Sequence, residues 1–303
     1  MGAELTIGPI LFNWKPEAWK DFYFRVADEA PVDTVYIGEV ICSKRSPFFE
    51  PLYDEVAQRL QEGGKSVIFS TLAEVMTKRE RKMTEGMCAL EGFMVEANDT
   101  SALYHLRGRP HAIGPFFNVY NEDTLEYLAK NGAKHVTLPP ELPDTAIAVL
   151  GKKAKELGIT LEVQVYGRVP LAISARCYHA RAHDKVKDNC LYVCEKNPDG
   201  MDLETLSSEQ FLSINGVQTL SHTYLNLMQE MEQMQSAGIN AFRLSPHTHD
   251  MVRVAQIFRD VLDEKINDDE AEEQFKALKI PAPFSNGFFY GKPGYQWVEA
   301  EAT

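Results

Sequence analysis

The sequence predicts an α/β protein that closes into a (β/α)8 barrel of the TIM type, with a long cysteine-containing insertion after the seventh strand. Short apolar segments rich in β-branched residues alternate with helix-like segments about every 20–35 residues. Such alternation is typical of parallel strands, which need helical crossovers because a tight turn cannot join them. Eight strand segments in this rhythm favour a closed barrel over an open, doubly wound sheet. No Gly-x-Gly-x-x-Gly motif follows a strand segment to indicate dinucleotide binding.

The predicted elements follow this rhythm in order along the chain. Eight segments with strand-like composition are predicted as strands: 5–12, 34–40, 66–70, 92–97, 112–119, 135–138, 160–165 and 241–244. Five segments with helical patterning are predicted as helices: 16–30, 51–62, 72–81, 122–131 and 144–157. Pro16 and Pro51 fit the first helical turn, and Gly158 fits a helix C-cap. Because barrels commonly form one unit of more than about 200 residues, residues 1–303 are interpreted as a single domain.

The rhythm breaks between the seventh and eighth strands. The stretch 166–240 is far longer than a crossover needs. A helix is predicted over 221–237, where methionines lie on one apolar stripe, while 167–216 is rich in Cys, His, Arg and Lys. Loops at the carboxyl ends of barrel strands build active sites, so this insertion is predicted to carry the functional site. The aromatic and glycine-rich segment 286–297 is predicted to dock as a closing segment.

The charge balance excludes several classes of partner. The chain has 31 Lys and Arg against 44 Asp and Glu, a formal net charge of -13. Such a chain lacks the basic surface that nucleic acids and anionic membranes require, so neither is an expected partner. No apolar run is long enough to span a bilayer, and no secretory signal is visible, so we expect a cytoplasmic protein.

Five cysteines in a reducing compartment indicate metal ligation or catalysis rather than disulfides. Cys177, Cys190 and Cys194 form a C-x12-C-x3-C pattern in the insertion, and Cys42 lies just past the second predicted strand. In a barrel both segments open onto the carboxyl-terminal rim, so the four thiols can converge. Four thiolates match the all-cysteine ligation of an iron–sulfur cluster. Cys88 has no neighbouring ligand types and is interpreted as a buried structural thiol.

Zinc is the alternative metal. His179 and His183 lie four residues apart beside Cys177, so three cysteines and one histidine can also make a tetrahedral site. The spacing alone does not decide between the two metals. A third interpretation treats the cysteines as small apolar residues without a metal, although their polar surroundings in the insertion argue against it.

Other polar residues of the predicted rim have both functional and structural interpretations. His247 and His249 follow the eighth strand, where a histidine can position a substrate. In the structural interpretation, this segment only begins the next helix, with Ser245 or Thr248 as its cap. Three asparagines near strand ends are candidate substrate contacts: Asn13, Asn98 and Asn118.

Charged residues near the cysteines are equally open to two interpretations. Arg168 and Arg176 can bind a carboxylate or offset the charge of a thiolate cluster. Glu39 can accept a proton or pair with Lys44 or Arg45. No catalytic residue is assigned from these patterns.

Several segments of the chain carry a resemblance to a known family. The segments are VQVYGRVPLAISARCYH at 163–179, KDNC at 187–190, GE at 38–39 and CSKR at 42–45. They resemble the collagenase-like peptidase family, in its members that act in anaerobic ubiquinone biosynthesis. The closing motifs NG and GKPG within 286–294 are also similar, and the resemblance runs nearly end to end.

This resemblance implies a cofactor, a reaction and partners. It implies a 4Fe–4S cluster held by Cys42, Cys177, Cys190 and Cys194, and a heterodimer with the related UbiU that acts with the lipid-binding accessory UbiT. Such proteins hydroxylate the aromatic ring of a prenylated quinone precursor without dioxygen, with prephenate as a candidate hydroxyl donor.

The peptidase label of the family is not matched by a motif here. The sequence has no Gly-x-Ser-x-Gly elbow and no His-Glu-x-x-His, and the best cysteines are expected to be ligands, so proteolysis is not expected. Two alternatives stay open: an RNA-modifying hydroxylase, which the acidic charge disfavours, and a non-catalytic protein whose metal staples the insertion for partner docking.

Overall fold

The computed structural model describes residues 2–299 and contains a closed barrel. The barrel strands are β1 Glu4–Ile7, β2 Thr34–Ile37, β3 Ser66–Ser70, β4 Met94–Ala97, β5 His111–Ile113, β6 Ala133–Thr137, β7 Thr160–Ile173 and β11 Ala241–Leu244. Each pairs in parallel with its neighbour in this order, and β11 pairs with both β7 and β1. The barrel prediction is therefore confirmed. An open sheet would leave β1 and β7 without a neighbour on one side, but β11 pairs with both, so the open-sheet alternative is wrong.

The helices and the remaining strands lie around and beyond this ring. The helices are α1 Pro16–Glu29, α2 Ser46–Phe49, α3 Tyr53–Glu62, α4 Lys78–Cys88, α5 Thr100–Leu106, α6 Glu122–Lys130, α7 Asp144–Leu157, α8 Tyr178–Arg181, α9 Met231–Ser236, α10 Met251–Leu262 and α11 Asp268–Ala277. The strands outside the barrel are β8 Met201–Glu204, β9 Gln210–Asn215, β10 Gln218–Asn226 and β12 Phe284–Ser285. Within residues 2–299, no helix has the length and apolar character needed to cross a bilayer.

The predicted helix over 72–81 begins too early. Helix α4 starts at Lys78, because Thr77 and Glu80 form a capping box in which each side chain accepts a hydrogen bond from the other's backbone N–H. The preceding residues form a loop over the barrel rim. The first, second and fifth predicted strands run past the observed ends of β1, β2 and β5, because the residues that follow leave the sheet to build this rim.

The predicted helix over 221–237 is wrong over most of its length. Residues up to Asn226 belong to β10, and only Met231–Ser236 is helical. Strand β7 continues past the barrel to Ile173 and offers β10 an antiparallel partner, with Tyr224 opposite Arg168. This pairing satisfies the backbone of β10, so it prevails over the helical spacing of the side chains.

Beyond the barrel, β7, β10, β9 and β8 form an antiparallel extension of the sheet. Between β7 and β8 the chain makes α8 and two short 3-10 turns, Lys187–Asn189 and Val193–Lys196. The main core lies between the barrel and its helices, and a smaller apolar cluster lies at the carboxyl-terminal rim. The segment after β12 docks against this body, since Asn286 Nδ2 donates to Glu230 Oε1 at 3.0 Å.

Candidate functional site

The four predicted cysteines lie at the carboxyl-terminal rim. Cys42 lies in the loop after β2, Cys177 caps α8, Cys190 directly follows the first 3-10 turn, and Cys194 lies within the second. The first three pack in the rim cluster, whose fully buried apolar members include Val40. Cys194 lies near them, since it is close enough to act electrostatically on Cys177 and, together with Cys42, on the guanidinium of Arg45. The structure therefore brings the distant Cys42 to the same rim as the three cysteines of the insertion.

Cys88 lies apart from this group. It ends α4, is buried, and its thiol contacts the backbone oxygen of Ala102 at 3.8 Å. Its interpretation as a structural thiol agrees with this position.

Two N–H groups donate to the sulfurs at the rim. Asn13 Nδ2 donates to Cys194 Sγ at 3.3 Å, and the backbone N–H of Ala180 donates to Cys177 Sγ at 3.4 Å. N–H···S hydrogen bonds stabilise the thiolate form and tune the potential of a cluster bound through it. Burial raises the pKa of Cys42 and of Cys177, so a metal that binds there must displace protons.

Arg45 provides a buried positive charge beside these sulfurs. Its side chain is only 1% exposed, and it donates to Asn215 Oδ1 at 2.7 Å and to the Leu11 carbonyl at 3.1 Å. Burial alone would lower the pKa of Arg45, but Glu39, Cys194 and Cys42 together raise it. The cation therefore stays charged and offsets the negative charge that four thiolates would bring.

Gly216 makes room for this guanidinium. Its φ is +70°, and a Cβ at this position would lie 2.4 Å from Arg45 Nη2. A residue with a side chain would therefore clash with the buried cation as well as adopt a strained backbone conformation.

Glu39 and Lys44 hold the loop that carries Cys42. Glu39 accepts from the backbone N–H groups of Ile41 at 2.8 Å and Cys42 at 2.9 Å. It also lies 3.9 Å from Arg45, and these contacts give it a structural role. Lys44 instead donates to the carbonyl of Lys187 at 2.7 Å, which joins the Cys42 loop to the turn before Cys190.

The donor set fits a four-cysteine cluster. Its members are thiols with N–H donors and a buried cation around them, and each sulfur of such a cluster binds its own iron. The match is one of residue types, since no group of three or more His, Cys, Asp or Glu side chains within residues 2–299 is arranged to hold a metal ion. The zinc alternative, with three cysteines and one histidine, is therefore kept beside the cluster. His179 stacks on the ring of His183, and its Nδ1 lies 3.2 Å from the Ile214 carbonyl.

The histidines after β11 join the barrel to the insertion. His247 Nδ1 lies 3.3 Å from Asp199 Oδ1, and its Nε2 accepts from the backbone N–H of Arg168 at 3.1 Å. His249 Nε2 lies 2.8 Å from the Tyr166 hydroxyl. The cap of α10 is Asp250, which accepts from the Arg253 N–H, and not Ser245 or Thr248 as considered above.

The other candidate contacts divide between structural and exposed positions. Arg168 is buried, donates to the carbonyls of Ser221 and His222, and pairs with the Asp202 carboxylate at 3.3 Å, so it is not free to bind the carboxylate of a substrate. Asn98 is buried and donates to Glu96 Oε2 at 3.1 Å. Arg176 and Asn118 are exposed, and Asn118 adopts a left-handed conformation with a φ of 56°.

A charged network inside the barrel was not predicted from the sequence. Arg243 donates to Glu96 Oε1 at 2.7 Å and to Glu162 Oε2 at 2.8 Å, and its guanidinium lies 4.0 Å from the ring centre of Tyr36. Burial alone would raise the pKa of Glu162, but Arg243 and His135 hold it well below its usual range. The available signal was a charged residue in each of three otherwise apolar strand segments.

Two solved structures are distantly similar to this chain, and one family profile matches it. N-acetylneuraminate lyase from Fusobacterium nucleatum has a TM-score of 0.48 and 11% identity, covering 91% of this chain and 81% of that chain. An HpcH/HpaI aldolase from Desulfitobacterium hafniense DCB-2 has a TM-score of 0.42 and 10% identity, covering 92% of this chain and 94% of that chain. The sequence profile of peptidase family U32 matches residues 19–299, and on this match the chain belongs to peptidase family U32.

Proposed function

We propose that this chain is the UbiV-type iron–sulfur subunit of an O2-independent hydroxylase, which acts on the aromatic ring in anaerobic ubiquinone biosynthesis. The observation that carries the proposal is that Cys42 packs at the same rim cluster as Cys177 and Cys190, while buried Arg45 lies near Cys42, Cys177 and Cys194. A set of thiols with N–H donors and a buried counter-charge is what a cluster site requires.

Cys42, Cys177, Cys190 and Cys194 would hold the 4Fe–4S cluster. When bound, the cluster supplies a route for electrons, which a ring hydroxylation needs when its oxygen comes from a donor other than O2. The protein's own groups then have defined tasks. Asn13 and the Ala180 N–H stabilise the sulfurs by hydrogen bonds, and Arg45 balances their charge.

The partners in this proposal follow from the family resemblance. They are UbiU as the second subunit, UbiT as the lipid-binding accessory, a prenylated aromatic precursor as the substrate, and prephenate as a candidate hydroxyl donor. The proposed compartment is the cytoplasm. The net charge of -13 supports a partner set without nucleic acid.

A structural role for the cluster is the second candidate. Lys44 already donates to the carbonyls of Lys187 and Asp188, at 2.7 and 2.9 Å, and so links the two loops that carry Cys42 and Cys190. A cluster that only strengthens this link would shape the insertion for a partner and transfer no electrons.

Cys190→Ala separates the two candidates, with Cys88→Ala as the matched control outside the site. In cells grown without oxygen, we expect Cys190→Ala to abolish quinone synthesis while the variant still copurifies with UbiU. Loss of the complex itself would favour the structural role. Normal quinone synthesis with Cys190→Ala would contradict both.

A further inference from the structure

The loops that carry the cysteines expose apolar side chains. Four of these side chains are between 42% and 66% exposed: Phe48, Tyr178, Val186 and Leu191. Tyr178 directly follows Cys177, and Leu191 directly follows Cys190. Phe48 packs edge to face against Tyr192, with the ring centres 4.9 Å apart. Large apolar side chains that collect at a surface in this way are typical of an interface, and these border the proposed cluster site.

The backbone around Leu191 is unfavourable for the residues it contains. Leu191 has a φ of 50° and Tyr192 a φ of 52°, in the left-handed region that residues other than glycine, asparagine and aspartate seldom adopt. Leu191 gains little from burial in return, since its side chain is 66% exposed. Non-glycine residues held in this region cluster at functional sites, so the turn is suited to presenting Leu191 rather than to packing it.

This part of the surface is basic, although the chain as a whole is acidic. Residues 176–196 contain five Lys and Arg against three Asp and Glu, whereas the whole chain contains 31 against 44. The five basic residues are Arg176, Arg181, Lys185, Lys187 and Lys196. In the described part of the chain, Lys187 forms an ion pair with Glu74 at 3.4 Å, and the other four form none.

The basic and apolar groups lie together. The Arg181 guanidinium is 5.9 Å from the ring centre of Tyr178, and the backbone N–H of Lys185 donates to the Ala180 carbonyl at 2.9 Å. We call the four exposed apolar residues and the five basic residues the rim surface. An apolar centre with charged groups around it is the usual anatomy of a protein interface.

An acidic protein fits the rim surface better than a nucleic acid does. Single strands also bind basic surfaces with aromatic side chains, and Phe48 and Tyr178 each offer a ring on which a base can stack. Val186 and Leu191 offer no such ring, and the net charge of -13 repels a long polyanion. A folded acidic protein can meet these cations through one small face, without approaching the acidic remainder of the chain.

The position of the rim surface favours an electron carrier among acidic proteins. Cys42 and Cys190 are only partly buried, so a redox centre bound through them would lie close to solvent on this side. Complexes between redox proteins are small and transient, and complementary charges steer them together. These properties match a surface of a few unpaired cations around a few apolar side chains.

We infer that the rim surface docks an acidic one-electron carrier protein of the ferredoxin class, which exchanges one electron with the cluster. One centre is oxidised as the other is reduced, and no bond forms or breaks. The electron exchange rests on the proposed function. The docking rests only on the charges and apolar side chains of this chain.

Binding of an acidic plant-type ferredoxin to the full chain, purified without oxygen, tests the inference by biolayer interferometry. We expect saturable binding that weakens at least tenfold between about 20 and about 200 mM salt. Arg181→Glu combined with Lys185→Glu should weaken binding about tenfold at low salt, because two attractions become repulsions. Lys134→Glu combined with Lys152→Glu is the control. It changes the net charge equally, at exposed positions on β6 and α7, and should weaken binding by less than about threefold.

Leu191→Asn tests the apolar part of the rim surface. Asparagine adopts the left-handed conformation more readily than leucine, so this variant removes the apolar side chain without straining the backbone. We expect ferredoxin to bind several-fold more weakly, while urea denaturation shows no loss of stability. Unchanged binding would contradict the role of Leu191 as a contact.

Four results would overturn the inference. Ferredoxin that does not bind saturably is one, and equal weakening by the two charge-reversal pairs is another, because net charge alone would then explain the effect. Loss of copurification with UbiU in the Arg181→Glu, Lys185→Glu variant would assign the rim surface to the subunit interface. Tighter binding of single-stranded poly(U) than of ferredoxin would assign it to RNA.

Iron measured on the same samples separates this inference from the proposed function. Salt-dependent ferredoxin binding by protein without iron contradicts only the proposed function. Full iron content without ferredoxin binding contradicts only the docking surface.

Discussion

Lys44 Nζ donates a hydrogen bond to the backbone carbonyl of Lys187 at 2.7 Å, which joins two loops 143 residues apart in sequence. One loop carries Cys42, and the other leads into Cys190. Cys42 and Cys190 therefore come from loops that the protein already holds together by its own hydrogen bonds. This preorganisation lowers the entropy cost of assembling a metal site from distant parts of the chain.

Removal of this link should weaken the hold on the proposed cluster. We expect Lys44→Met to bind its cluster less firmly and lose iron several-fold faster in air, while the free energy of unfolding changes by less than about 1 kcal/mol. Lys130→Met is the control, since Lys130 is exposed and pairs only with Glu126 among the ion pairs of the described residues. Equal rates of iron loss in the two variants would show that the link has no role at the site.

The hydrogen bond from Asn13 should shift the potential of the cluster. An N–H donor stabilises the reduced, more negative form, so Asn13→Ala should lower the reduction potential. One hydrogen bond of about 1 kcal/mol corresponds to roughly 40 mV for a one-electron couple. Redox titration followed by electron paramagnetic resonance measures this shift. An unchanged potential at full iron content would contradict the assignment of Cys194 as a ligand.

The network inside the barrel should matter for stability. Arg243→Met leaves Glu96 and Glu162 buried without their cation, and breaking a buried pair in this way costs about 3–5 kcal/mol. Urea denaturation measures the loss. Adding Glu162→Gln to Arg243→Met should recover part of it, because one uncompensated charge is removed. A double variant less stable than the single one would contradict this explanation.

His249 should make stability depend on pH. Burial and the neighbouring His247 lower the pKa of His249 to about 4, below the value near 6.5 expected in the unfolded chain. Between these two pH values the unfolded chain binds more protons than the folded protein. The contribution of His249 to stability is therefore complete above pH 6.5 and is lost as the pH falls towards 4. The loss approaches about 1.4 kcal/mol per pH unit.

Comparison with His249→Gln isolates this contribution from those of the other histidines. The difference in unfolding free energy between the two proteins should narrow as the pH falls from 6.5 to 4. A difference that stays constant across this range would show that His249 does not titrate as its environment indicates.

The barrel could be predicted because its signal is local. Each barrel strand is a short buried segment, and burial from both faces leaves an apolar run in the sequence. The convergence of the cysteines also followed from topology, since loops after parallel strands emerge on one rim. The prediction that Cys42 and Cys177 share this rim did not depend on their spacing in the sequence.

The errors arose where distant contacts decide the structure. Strand β10 exists because β7 extends beyond the barrel to pair with it, and nothing within 221–237 reveals that partner. The contact between Arg243 and Glu96 likewise requires the ring to close, so isolated segments showed only a charge in an apolar run.

Iron and acid-labile sulfide analysis of protein purified without oxygen tests the central claim most directly. We expect about four of each per chain in the unsubstituted protein and in Cys88→Ala, and a large loss in Cys42→Ala. Colourless protein that contains zinc, or Cys42→Ala protein with full iron and sulfide, would contradict the assignment of the four cysteines to one cluster.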